Sequence, residues 1–142
     1  MSTYFSDIQK QFTLYAQALF NELKSDESLG LTIRGEDSTF IRFTEGKVRQ
    51  PGQVRQCHVD VHFAWNNRTH HLSLPFTLNL DESLGQARVL LHSIRQEMPN
   101  LPEDPFFIPL ENHGSSEVIH RGELLPAEKT ISALLAPADG QD

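Results

Sequence analysis

Residues Glu36 to Gln56 read EDSTFIRFTEGKVRQPGQVRQ, and this stretch decides how the fold is read. Side chains point alternately to opposite faces of a strand, so Phe40, Arg42 and Thr44 fall on one face while Ile41 and Phe43 fall on the other. Thr44-Glu45-Gly46-Lys47 places glycine where a short hairpin loop needs a positive φ. Pro51-Gly52 then joins a preset φ to a permissive one. The stretch predicts a β-ribbon that reverses twice within about ten residues.

On its carboxyl-terminal side the alternation continues. From Val54 to Trp65, Cys57, Val59, Val61, Phe63 and Trp65 share one face and His58, Asp60, His62 and Ala64 the other, which is the pattern of a strand with one core face and one wet face. Asn66-Asn67 suits a two-residue turn, because asparagine tolerates the left-handed conformation. The strand after it, Arg68 to Thr77, puts Leu72, Leu74 and Phe76 on the face of Val59 and Val61 and brings His71 opposite His62. Before the ribbon, Leu31 and Ile33 mark one side of a first strand between Leu29 and Arg34.

Two segments carry a helical period instead. Phe5, Ile8, Phe12, Tyr15, Leu19 and Leu23 recur at steps of three and four, giving a helix over roughly Tyr4 to Lys24. Leu84, Ala87, Leu91, Ile94 and Met98 repeat the pattern after Asn79 or Asp81 as cap and before Pro99 as stop. The expected class is α+β: an antiparallel meander sheet of about four to five strands with two amphipathic helices packed on one face, the other face being wet or covered by a partner. Residues 1–98 form this domain. Residues 99–142 form a Pro-rich arm with a short carboxy-terminal helix between Pro126 and Ala136, and within the arm Phe106-Phe107-Ile108 is expected to dock on the parent domain or on another surface.

Composition narrows the function. With 142 residues, 38% hydrophobic and 22% charged, the chain has the size of one domain with a real core. A formal charge of −7 repels nucleic-acid phosphates and anionic membrane surfaces, so neither is an expected partner. The single cysteine, Cys57, rules out an intramolecular disulfide and, lying among valines, reads as a buried thiol. No apolar run is long enough to span a membrane and no signal peptide opens the chain, so the expected location is the cytoplasm.

Phe40-Ile41-Arg42-Phe43, Gly46-Lys47-Val48-Arg49-Gln50, Gly52 and Val54-Arg55-Gln56, together with the later Leu101-Pro102-Glu103-Asp104-Pro105, resemble the amino-terminal domain of the TldD/PmbA family of metallopeptidases and their inactive partner subunits. The resemblance runs across most of the chain. It implies a non-catalytic accessory or amino-terminal domain that contributes to a subunit interface or binds an extended peptide. The partner would be a related subunit or the rest of its own subunit. In such members a segment like Leu134 to Asp142 leads on into the rest of the subunit, so the resemblance also implies a cut piece of a longer chain, a shortened gene or a truncated relative. Family peptidases carry zinc on a helical His-Glu-x-x-x-His element beyond this domain; no His-Glu pair occurs in this chain, so no cofactor is expected on it and zinc is implied only for a full-length member.

Contact with peptide or partner is assigned to Arg42, Arg49, Gln50 and Arg55 on the ribbon, where an open edge near Val48 to Val54 could add a strand to an extended chain. Two other readings stand beside it. One is a free-standing interaction module that dimerises through the wet sheet face or through Phe106-Phe107-Ile108. The other is a small metal-dependent enzyme, in which His58, His62 and His71, with Asp60, approach a zinc-like set of ligands. No phosphate loop, serine elbow or cysteine–histidine arrangement adds a catalytic signature.

Overall fold

The computed structural model describes residues 3–120, 122–123 and 125–136. Its elements are helix α1 (Thr3–Asn21), strands β1 (Glu27–Thr44), β2 (Lys47–Trp65) and β3 (Arg68–Pro75), helix α2 (Leu80–Glu97) followed by a single 3₁₀ turn at Met98–Asn100, and helix α3 (Ala127–Leu135). The class is α+β, with an antiparallel meander in the order β1-β2-β3. The chain divides into two compact units, Met1–Gly35 with Cys57–Asn112 and Glu36–Gln56 with His113–Asp142.

Among the described residues three strands stand where four to five were expected, and the cause is local. Glu45 and Gly46 take positive φ values of 51° and 71° and turn the chain once. Pro51-Gly52 does not turn it, and both residues lie inside β2. A Cβ placed on Gly52 would lie 2.5 Å from the ring of Phe40, so glycine here makes room for an aromatic ring that lies over the strand. Gly35-Glu36 does not interrupt β1 either, so the separate first strand and the first arm of the ribbon are one element.

In the first unit the hairpin between β2 and β3 follows its sequence pattern. Asn66 and Asn67 adopt φ of 46° and 57°, the pair of left-handed conformations that a two-residue turn of this twist demands. Val59 faces Leu74, Val61 faces Leu72 and His62 faces His71. Arg68 and the turn tie down the segment beyond α2: the Arg68 guanidinium donates to Leu101 O at 2.7 Å, and Asp104 N donates to Asn67 O at 2.8 Å. Asp104 also accepts from Phe106 N through its side chain at 2.8 Å, which makes it a turn residue.

Both long helices bury their apolar stripes in one core with the sheet. Ile8, Tyr15 and Leu19 of α1 and Leu84, Ala87, Leu91 and Ile94 of α2 join Val59, Val61, Phe63 and Phe76. Tyr15 is 1% exposed, and burial pushes its phenol up to about 12. Helix α2 starts where Asn79 caps it, its side chain accepting from Glu82 N at 3.3 Å, with Asp81 and Glu82 in the first turn beside the positive end of the helix dipole. Pro99 converts its end to the 3₁₀ turn.

The second sheet face is less wet than its pattern suggested. Ala64 on that face is 2% exposed, and the Leu110 side chain approaches the position a Cβ on Gly30 would take, beside His62. Phe106 and Ile108, in contrast, are not docked: they are 84% and 80% exposed, and of the three apolar neighbours Phe107 alone is half-buried. In the second unit, α3 begins after Pro126, which occupies the cap position and has no side-chain hydrogen bond to offer. Residues 137–142, on which the expected continuation into a longer subunit falls, lie outside the described residues. Among the described residues no helix is long and apolar enough to cross a membrane.

Candidate functional site

The ribbon residues named from sequence occupy the second unit. β3 registers with β2 from His58 onward, so residues 47–56 of β2 have β1 as their ladder partner and no partner strand on the other side among the described residues. Arg42 reaches Gln50, its Nη1 donating to Oε1 at 3.5 Å, while its guanidinium carbon lies 5.6 Å from the centre of the Phe40 ring. Arg42, Gln50, Phe40 and Gly52 therefore form one surface cluster. Arg55 is engaged differently, with Nη2 and Nε donating to Asp37 Oδ2 at 2.8 and 3.2 Å, and Gln56 donates to Glu36 at 2.8 Å. Arg49 is exposed. The structure thus brings Arg42 and Gln50 together, binds Arg55 into a cross-strand ion pair and leaves Arg49 at the surface.

The histidine cluster lies in the first unit, on the second face of the sheet. Gly30, Arg34, Asp60, His62, His71 and Leu110 line a groove of about 700 Å³. Its geometry does not suit a zinc shell. The rings of His62 and His71 stack with centroids 3.7 Å apart and planes 30° from parallel, so their in-plane lone pairs cannot converge on one ion. His58 is four residues from His62, about 13 Å along an extended strand. Asp60 is turned to Arg34, whose Nε donates to Oδ2 at 2.8 Å, and this contact, reinforced by the Ser73 hydroxyl, holds its carboxyl below the usual range. Among the described residues no group of three or more His, Cys, Asp or Glu is placed to hold a metal ion.

His62 Nε2 is shielded from solvent and makes no hydrogen bond. Burial first, and the charge of His71 second, push its imidazole below the ordinary value. Cys57 is 8% exposed and burial pushes its thiol up, which leaves little thiolate for nucleophilic chemistry. This face is suited to holding polar groups by hydrogen bonds and charge. Arg34, which sequence reading passed over, is the cation that organises it. Its signal was the period of two through Gly30, Thr32 and Arg34, the same alternation that placed His58, Asp60 and His62 together.

No protein-family model, no curated protein and no solved structure matches this chain.

Proposed function

We propose that the chain acts as a non-catalytic accessory or amino-terminal domain of a TldD/PmbA-like metallopeptidase system, at a subunit interface or in contact with an extended peptide. The observation that carries this reading is the ribbon of residues 36–56: it holds most of the residues that carry the resemblance, and among the described residues the strand β2 has a ladder partner on one side only along Lys47–Gln56. An unpaired edge offers main-chain donors and acceptors to any extended chain, which gives affinity with little demand on sequence. Arg42, Arg49 and Gln50 would add polar contacts, and Arg55 would contribute by holding the ribbon through Asp37. In this reading the domain works in the cytoplasm, away from nucleic acid and membranes. The chain itself holds no cofactor, and zinc belongs to a full-length member.

Exposed Phe106 and Ile108 favour a second reading, a module that dimerises through this apolar pair. One experiment separates the two: affinity capture by the tagged chain and by its Arg49→Glu variant, with sedimentation of the purified chain across concentrations. Recovery of a subunit bearing His-Glu-x-x-x-His, reduced severalfold by Arg49→Glu, supports the accessory-domain reading. Self-association lost on Phe106→Ser, with no such subunit recovered, overturns it in favour of the dimer.

A further inference from the structure

Strand β3 is an edge of the meander. Its last hydrogen bond to β2 is followed by one from Phe76 N to Cys57 O at 2.9 Å, and the register continues through Val59–Leu74 and Val61–Leu72. In an antiparallel ladder the amide and carbonyl of alternate residues face the same neighbour. Leu74, Leu72 and His70 therefore turn theirs toward β2, and Thr69, His71 and Ser73 turn theirs outward. The strand ends at Pro75, an outward position where a missing N–H leaves the β2–β3 ladder intact. His71, Ser73 and Pro75 are exposed.

Beside this edge lies an apolar groove of about 610 Å³ between Leu74 and one side of α2, lined there by Gly85, Val89 and Leu90. Val89 is 70% exposed, and a Cβ on Gly85 would meet nothing within 4 Å. Along α2 the residues Glu82, Gln86, Val89, Ser93 and Glu97 follow one another at steps of three and four, so they share a stripe. The charges on that stripe are both acidic and stand at its two ends, about 22 Å apart at the rise of a helix. The arginines of α2 lie elsewhere on the helix, Arg88 paired with Glu22 and Arg95 with Glu27, while Glu97 stands 3.8 Å from His70 Nε2 on the edge strand and keeps most of its side chain exposed.

We propose that the outer edge of β3 and the groove beside α2 bind an extended peptide as a fourth strand. An apolar side chain would enter the groove beside Val89, one helical turn from Gly85 and about midway between the two acids, and a cationic residue four positions to either side, on the same face by strand alternation, would approach Glu82 and Glu97. The occupant is thus an extended, apolar-centred, basic-flanked segment, matching an acidic rim on a chain of formal charge −7. This site lies in the first unit and is independent of the ribbon.

The test uses a fluorescein-labelled nonapeptide with leucine at its centre, lysine at both ends and alternating threonine and valine between, titrated into the full chain. Anisotropy reports binding and amide NMR shifts report its place. Saturable binding that perturbs the Thr69, His71 and Ser73 amides is expected. Gly85→Leu should weaken it about tenfold by filling the groove, the size of effect expected for one excluded aliphatic side chain. Methylating alternate peptide amides should weaken it comparably without touching the protein. Absence of saturable binding, shifts confined to residues 47–56, or indifference to both changes would each overturn the proposal.

Discussion

At His62 burial and the neighbouring imidazole of His71 act in the same direction, both disfavouring the charged ring. Asp60, on the same strand face, has its carboxylate committed to Arg34. A base whose folded value is depressed binds fewer protons when folded than when unfolded, so stability rises with pH across the gap. The contribution is full above the unfolded histidine value of about 6.5 and is lost as pH falls below it toward the depressed value. Carboxylates do not confuse this window, because Glu27, held low first by its hydrogen bond from Arg95, and Asp60 lose their stabilising charge only at more acid pH. The unfolding temperature is therefore expected to fall between pH 7.5 and 5.5, and His62→Gln should flatten that slope. An equal slope in wild type and variant, measured by calorimetry, would remove His62 as the cause.

Among the elements, the two hairpin turns show what the sequence made legible and what it hid. Asn66-Asn67 was readable because both positions need a positive φ and asparagine supplies it, and the resulting register, with His62 against His71, is a consequence of counting from the turn. Pro51-Gly52 was misread because its local chemistry is that of a turn, while its actual setting depends on Phe40, a ring that folding brings over it from the paired strand. Proline removes only a donor, and among the described residues β2 has at this point a side with no strand to receive one. The stacking of His62 on His71 was likewise hidden: register places two rings opposite each other but does not say whether they offer nitrogen or face. At the tip of the ribbon Glu45 carries a φ of 51°, a conformation that costs an ordinary side chain about 1 kcal/mol and asparagine less. Glu45→Asn is expected to stabilise the ribbon by about 0.5 kcal/mol, seen as slower hydrogen exchange at the amides flanking the turn. Faster exchange would mean that the Glu45 side chain itself supports the tip.

For the whole molecule, the distribution of the core separates what holds the fold from what the ribbon does. Every residue of the described apolar cluster, from Ile8 to Met98, belongs to the unit formed by Met1–Gly35 and Cys57–Asn112. The ribbon contributes cross-strand pairs such as Arg55–Asp37, whose partners are 61% and 31% exposed and which add at most about 1 kcal/mol. A two-stranded ribbon of this kind has little stability of its own. Gly35 and Cys57 are neighbours on paired strands, a Cβ on Gly35 lying 3.7 Å from Cys57 Sγ, so the ribbon can be replaced by an Asn-Gly turn between them. The shortened chain is expected to unfold in one cooperative transition, with a midpoint close to that of the full chain and a smaller dependence on denaturant in proportion to the surface removed. It should lose capture of the His-Glu-x-x-x-His subunit while still binding the nonapeptide at β3. A broad, non-cooperative transition would instead make the ribbon part of the folding unit, and the polar contacts of Arg42, Gln50 and Arg55 would then have to be explained by stability before recognition.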